Sequence, residues 1–487
     1  MLTLRQRLRS HQAEALLVAL TATLATLAIA VFAERRLGGA GLFVPLLLVG
    51  ALLLVRWPLA AVSLAVAAPI VCEGPTFGVA AMTKLYDPLF KQLTALDVLV
   101  ALALVAVGLD LIRRRRQPHV PAALGFPLLM VALAMAAGLA VTLGQGWSPR
   151  DTLFTMHVLF YLLLLPIAIV NLDLDRDQLM LLLKGAVALA LLKAALGLVV
   201  MATGGSVELD GGTHLTYYEP TANWLMLIAL LGTVAAIAGG MPKERWMAIG
   251  VPLLTAALLL SYRRSFWIAA VLGLLLVLLL GTSRRGRKVL VPVLLLVAGA
   301  IWLVGSIEFQ AQTPLANRVQ SLAPSKLESN AEDRYRLDER VNVIAEIKRH
   351  PVAGIGLQDD WHATARPLPV EHENGRQYVH FAALWWWLKL GFLGAVAFAS
   401  LLICGMLLSW RTWRNNREPL FRCFGLASLC GFLGLVAVET TASFTGVDAR
   451  FTVVIAVQLG LLAALQRGVT SPAGGRLRSP EGESRYP

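Results

Sequence analysis

Two adjacent arginines stand between two apolar runs, in Ser261-Tyr262-Arg263-Arg264-Ser265-Phe266-Trp267. A guanidinium close to hydrocarbon is costly unless it pairs, snorkels or meets an anion. Arginine also presents a planar, permanently charged fork of donors that suits phosphate. The functional reading of this turn is a phosphate or pyrophosphate clamp, and the plain alternative is headgroup anchoring. His380 opens another apolar run, in Tyr378-Val379-His380-Phe381. A neutral imidazole there could take a proton from an attacking hydroxyl, or sit in an aromatic belt with Tyr378 and Trp385 to Trp387. His362, Glu371, His372, Glu373 and His380 invite a metal reading, yet their spacing matches no metal signature and no histidine pair falls at i, i+4 on an evident helix. Asp173, Asp175 and Asp177 alternate like an acidic metal motif and read better as a solvated turn; Asp359-Asp360 is a weak metal candidate. Neither a metal nor a cofactor is expected. Glu439, Asp448 and Arg450 flank the last two apolar runs, where they could pair with each other or shape a polar cavity.

The elements that must position these groups follow from composition. Hydrophobic residues make up 57% of the 487 and charged residues only 15%, with a mean hydropathy of +0.68. A soluble protein could not cover that much apolar surface. Apolar runs of about 17–25 residues recur, the length a helix needs to cross the hydrocarbon, and the alternating strands of a membrane barrel are absent. The expectation is an all-α polytopic bundle of about 12 to 14 transmembrane helices. Spans are read at 14–33, 41–55, 57–72, 94–112, 122–143, 153–170, 179–202, 222–239, 246–261, 265–281, 289–305, 379–408, 422–443 and 449–466. The basic stretch Met1 to Gln12 runs into an apolar segment without a convincing cleavage site, which reads as a retained first helix. Membrane helices thus occupy 1–305 and 379–466, a polar loop 306–378, and a disordered tail 467–487. The net charge of +13 is spread over short loops, not over a folded basic face, which argues against nucleic acid. The four cysteines lie in or beside apolar runs and suggest no disulfide framework.

Positive charge gives the orientation. With the N-terminus cytoplasmic, Arg5/Arg7/Arg9, Arg113 to Arg116, Lys243/Arg245, Arg284 to Lys288, Arg411/Arg414/Arg417 and the tail fall inside. Arg35/Arg36 and Arg263/Arg264 are the outside exceptions. The long loop then faces out. It should carry a helix from Ala331 to Arg349, with Leu337, Val341 and Ile344 at helical spacing and Val343 and Ile347 beside them, lying against the membrane or the bundle. Pro351 stops that helix, and Gly354-Ile355-Gly356 follows.

The order of four motifs resembles the O-antigen ligase and polymerase family of bacterial envelope glycosyltransferases. They are the Ser/Tyr-Arg-Arg-Ser turn; Arg340 after Asp338-Glu339; His350-Pro351-Val352-Ala353-Gly354-Ile355-Gly356-Leu357; and Tyr378-Val379-His380 leading into Leu388-Lys389-Leu390-Gly391-Phe392-Leu393-Gly394. The resemblance covers roughly 260–400. It implies a metal-independent membrane glycosyltransferase, similar in fold to the C-type enzymes, whose donor is a glycan on undecaprenyl pyrophosphate at the periplasmic side of the bacterial inner membrane. Its acceptor is a glycan, lipid or protein hydroxyl. By the same resemblance His380 is the base, Arg264 holds the pyrophosphate with help from Arg263, and Arg340 is structural or phosphate-contacting. This chain departs from the family pattern in two places. Phe381 stands where an asparagine is common, and Gly212 to Pro220 lacks the second arginine expected of ligases. His214 replaces that arginine only in part, and Glu219 is a further accessory candidate. A ligase that moves a finished polysaccharide is the first reading and a repeat-unit polymerase the alternative. A transporter without chemistry is the third; it would predict charges near mid-membrane, whereas here they cluster at the outer ends of spans.

Overall fold

The structure, a computed structural model, describes residues 50–51, 53–72, 88–90, 93–204, 207–209, 213–217, 219–239, 241, 245–281, 331–368 and 376–470. The spans expected at 14–33 and 289–305, most of that at 41–55, the loop at 306–330, Glu371 to Glu373 and the tail after 470 lie outside the described residues. So do Arg35/Arg36, Lys243 and Arg284 to Lys288.

The described elements are helices α1 (Pro58–Val71), α2 (Ala95–Arg113), α3 (Ala122–Gly144), α4 (Pro149–Thr155), α5 (His157–Asn171), α6 (Arg176–Ala202), α7 (Pro220–Ala238), α8 (Arg245–Leu259), α9 (Arg264–Gly281), α10 (Ala331–Arg349), α11 (Ala382–Asn415), α12 (Pro419–Glu439) and α13 (Ala449–Thr470). Two short antiparallel hairpins, β1–β2 (Pro88–Phe90 with Leu93–Thr94) and β3–β4 (Val207–Leu209 with Thr213–Leu215), join them. Among the described residues eight helices are long and apolar enough to cross a membrane, or nine if a bent pair counts as one span. The protein is an all-α polytopic membrane bundle.

Local chemistry sets the helix starts. Thr94 with Asp97 and Asp175 with Gln178 form capping boxes, which satisfy backbone donors that the first turn leaves orphaned. The aspartates at 173–177 are thereby accounted for: Asp175 caps α6, Asp177 sits in its first turn and Asp173 pairs with Arg116. Proline begins α1, α7 and α12, where its missing N–H costs nothing. In the bundle α11 packs on α3 and α12, α13 on α5, and α9 on α12. α7, the most enclosed span, touches α6, α8, α9 and α12.

Two spans read as continuous are broken. The one expected at 153–170 is the pair α4 and α5, bent by 54° at Met156. The hydroxyls of Thr152 and Thr155 turn back onto the carbonyls of Ser148 and Asp151, which loosens a helical ladder. Gln358 reaches in from the long loop to bond the Asp151 carbonyl and the Thr155 hydroxyl. The one expected at 379–408 is α11, which runs on to Asn415 and breaks at Gly391 (φ 69°, ψ −163°). At the other end, α13 continues to Thr470, so the first residues assigned to a disordered tail are helical.

The break in α11 is filled by the Gly-rich turn of the loop. In an unbroken helix the Phe392 N–H would bond the Leu388 carbonyl. Here Phe392 N–H donates to Val352 O at 3.0 Å, and Leu388 O accepts from Ile355 N–H at 2.7 Å. The loop therefore supplies both partners that the break removes, as buried backbone groups require. Gly354 (φ 72°) and Gly356 (φ 84°) make the approach possible, and Lys389, fully buried, donates to the Asp359 carbonyl. A Cβ at Gly354 would lie 2.5 Å from Leu388 O and 2.7 Å from Gly391 N. Gly354→Ala should cost about 2 kcal/mol or more, from left-handed strain and the clash together. Thermal unfolding in detergent measures it. Gly125→Ala, where a Cβ meets nothing within 4 Å, should change stability by about 0.5 kcal/mol or less.

Candidate active site

α10 spans Ala331–Arg349 as its pattern predicts, but it buries a different face. Leu337 is 41% exposed, whereas Asp333, Tyr335, Asp338, Glu339, Asn342, Val343, Glu346 and Ile347 are buried. Of the expected apolar residues, Val343 and Ile347 are buried, Val341 and Ile344 half-buried and Leu337 exposed. Buried polar side chains need partners, and the chain that surrounds α10 supplies them. Asn342, for example, binds the backbone of Ala365 and Arg366 through Oδ1 and the Arg366 carbonyl through Nδ2.

Glu339, 1% exposed, holds His380 at two points. Its Oε2 accepts the His380 backbone N–H at 2.9 Å and lies 3.0 Å from ring Nδ1; Oε1 is 3.2 Å from Nδ1. A carboxylate facing Nδ1 assigns the proton of the neutral ring to that nitrogen and leaves the lone pair on Nε2. Tyr378 and Tyr335 stand edge-on to the ring, with centroids 5.0 Å and 5.9 Å away. Burial raises the Tyr378 phenol above its ordinary range, so it stays protonated at neutral pH. Its oxygen accepts the Ser443 N–H at 3.0 Å. The aromatic-belt alternative for this region does not hold for Trp386, which is fully buried with its indole N–H on Thr445 O at 2.9 Å.

Asp333 binds Arg264 in a fork, Nη1 to Oδ2 at 2.9 Å and Nη2 to Oδ1 at 2.7 Å. Arg336 approaches the same carboxylate at 3.9 Å. The turn that delivers Arg264 is tight: Tyr262 adopts φ 54°, a left-handed conformation that costs a non-glycine residue about 1–3 kcal/mol and is found at functional sites. Arg263 is half-buried and lies within electrostatic reach of Tyr378. Arg340 is exposed, its guanidinium 5.0 Å from the Phe381 ring centroid, a cation–π distance. The phenylalanine that replaces the usual asparagine is thus the partner of Arg340.

One helix therefore organises the site. Asp333 and, nearly two turns further along α10, the adjacent Glu339 and Arg340 engage Arg264, His380 and Phe381 in that order. Sequence reasoning singled out Arg264, Arg340 and His380, gave Asp333 no role and named Glu339 only as part of the motif before Arg340. Of the accessory candidates, His214 pairs with Glu208 in the β3–β4 ladder, and its side chain lies outside the described residues. Glu219 forms an ion pair with Arg450 at 3.6 Å. Arg450 also clasps Asp448, while Glu439 accepts from the Phe444 and Thr445 N–H groups and the Thr445 hydroxyl. Among the described residues no three His, Cys, Asp or Glu side chains converge as metal ligands.

The fold and site define a polytopic helical membrane protein in which α10, which is not among the candidate spans, joins a buried Glu–His pair to Arg264 at the start of α9. Residues 249–399 match the family model described as O-antigen ligase. The matched segment includes Arg263, Arg264, α10, the Gly-rich turn, His380 and the break at Gly391. No relative matches the chain among the curated proteins.

Proposed function

We propose that the chain transfers a glycan from undecaprenyl pyrophosphate to an acceptor hydroxyl at the periplasmic face of the bacterial inner membrane. The observation that carries this reading is that one helix, α10, holds both His380, through Glu339 on Nδ1, and Arg264, through Asp333. Nε2 takes the proton of the acceptor hydroxyl as its oxygen bonds to the anomeric carbon of the donor sugar. The bond from that carbon to the pyrophosphate breaks, and the phosphate oxygen leaves with the electron pair. Arg264, steered by Asp333, offsets the charge that develops there, with Arg263 and Arg340 at the margins. A pyrophosphate leaving group lets one base and fixed cations suffice, so this reading calls for no metal.

The periplasmic placement rests on charge. The helix ends that meet α10 are the starts of α9 and α11. The basic runs Arg113 to Arg116 and Arg411 to Arg417 lie at the far ends of α2 and α11, as cytoplasmic ends should. Ligases and polymerases share this half-reaction and differ in acceptor.

Complementation of a deletion strain tests the proposal, with surface glycan and lipid-linked glycan followed together. Arg264→Ala should lower transfer by about 10²–10³-fold, the loss typical of one oxyanion donor. Arg264→Lys, which keeps charge without the fork, should retain roughly a tenth of the activity. Because the first variant also strands buried Asp333, Arg264→Ala/Asp333→Ala controls for folding. Long-chain lipid-linked donor accumulating outside identifies a ligase, and short-chain donor a polymerase. Normal surface glycan from the alanine variant overturns the mechanism and favours a transporter.

A further inference from the structure

The segment between β4 and α7 is locked on three sides. Tyr217, buried, donates its hydroxyl to the Lys193 carbonyl, while the Lys193 ammonium lies 4.4 Å from the centre of its ring. Thr216 binds across to the end of α8, N–H to Leu260 O at 3.0 Å and hydroxyl to Ala257 O at 2.8 Å. That end of α8 leads directly into the Arg263-Arg264 turn. On the third side Arg450 reaches Glu219, and the same α12–α13 turn holds Tyr378, the neighbour of His380, through Ser443. The start of α7 is therefore tied, through α8 and the α12–α13 turn, to elements that lead to both halves of the site already described.

Two acceptors here lack donors. Asn223, fully buried, spends its Nδ2 on the carbonyls of Tyr217 and Glu219, and its Oδ1 has no hydrogen-bond partner among the described residues. Glu219 Oε2 is also buried and unpartnered, and at 3.6 Å the Arg450 contact is a charge pairing beyond hydrogen-bond length. Residues 219 and 223 stack on one face, a turn apart. A buried carboxylate oxygen without a donor is costly unless something supplies one. The Arg450 cation beside it disfavours a second cation, and no metal-ligating trio is present among the described residues. A neutral hydroxyl donor fits.

We propose that Glu219, Asn223 and Arg450 form a subsite for sugar hydroxyls, resting on the reading of the chain as a glycan transferase. Glu219 and Asn223 accept from hydroxyls of one residue of the glycan, and Arg450 donates to a hydroxyl or ring oxygen. The subsite holds the glycan beside His380 and takes no part in proton transfer.

The test uses the full chain in lipid nanodiscs and oligosaccharides of one to three repeat units prepared from the host's own surface polysaccharide. Calorimetric titration should give saturable binding by the wild type. Glu219→Ala should weaken it at least tenfold and Glu219→Gln less, while Gly125→Ala, where an added Cβ meets nothing within 4 Å, stays within threefold of wild type. In a transfer assay Glu219→Ala should raise KM at least tenfold and leave kcat within threefold. Thermal melting checks that each variant is folded, and the glutamine variant, which keeps the side-chain shape, decides the matter if the alanine variant is not. No binding by the wild type, or equal binding and KM in folded Glu219 variants, overturns the subsite. Binding that depends on Glu219 in a wild type that performs no transfer keeps the subsite and overturns the transferase reading.

Discussion

If the chain is the glycan transferase proposed above, His380→Ala should lower the turnover of lipid-linked glycan by about 10²–10⁴-fold, the usual contribution of a positioned general base, and leave donor KM nearly unchanged. The loss falls on kcat because proton removal from the acceptor matters in the transition state more than in the bound donor complex. Folding should survive. The alanine keeps the backbone N–H that Glu339 accepts at 2.9 Å, and the segment stays anchored by the Ser443 hydroxyl on Val379 O. The measurement is single-turnover transfer from purified lipid-linked donor, with melting temperature in parallel. A folded variant that transfers at more than a tenth of the wild-type rate removes His380 from the mechanism.

Glu339→Gln should cost about 10²–10³-fold in kcat, through the tautomer of its neighbour. The glutamine oxygen can still accept the His380 backbone N–H, which turns the amide N–H₂ towards Nδ1. That nitrogen must then accept, the ring proton moves to Nε2, and the base loses its lone pair where the hydroxyl arrives. The same inversion in a hydrolase triad is worth about 10⁴-fold. Two comparisons separate this from a loss of packing. Glu339→Asp, which keeps a carboxylate on a shorter stem, should recover part of the rate. Glu339→Gln combined with His380→Ala should be no slower than His380→Ala alone, because a positioning residue has nothing left to position. Additive losses in the double variant would assign Glu339 to stability only.

Much of the frame was legible because hydropathy is a long, redundant signal. Each span is written by some twenty residues, so α2, α3, α6, α7 and α9 appear within a few residues of their expected limits. Helix α10 was legible from Ala331 to Pro351 because its start and stop are local. Its buried face was not, since burial there follows partners, not polarity. Glu339 meets a histidine 41 residues away and Asp333 an arginine 69 residues away, and no periodicity encodes such pairings. The break at Gly391 was hidden for a related reason. An apolar run of unbroken hydropathy says nothing about one residue's dihedral angles, and only the loop that fills the gap explains why that glycine is needed. Arg264 and His380 could be singled out because a cation or an imidazole at the end of an apolar run is already unusual by type.

The exchange of hydrogen bonds between the Gly-rich turn and broken α11 bears on how this protein can be handled. The polar stretch between the spans has the look of a domain to be cut out and made alone, yet its chain from Val352 to Ile355 is finished by backbone groups of Leu388 and Phe392. An excised fragment would carry two open valences into water and lose the wall that shapes its turn. An antibody or inhibitor raised against such a fragment would meet a surface the intact protein does not display. Ligand screens should therefore begin from the whole chain in lipid, where turn and helix complete one another.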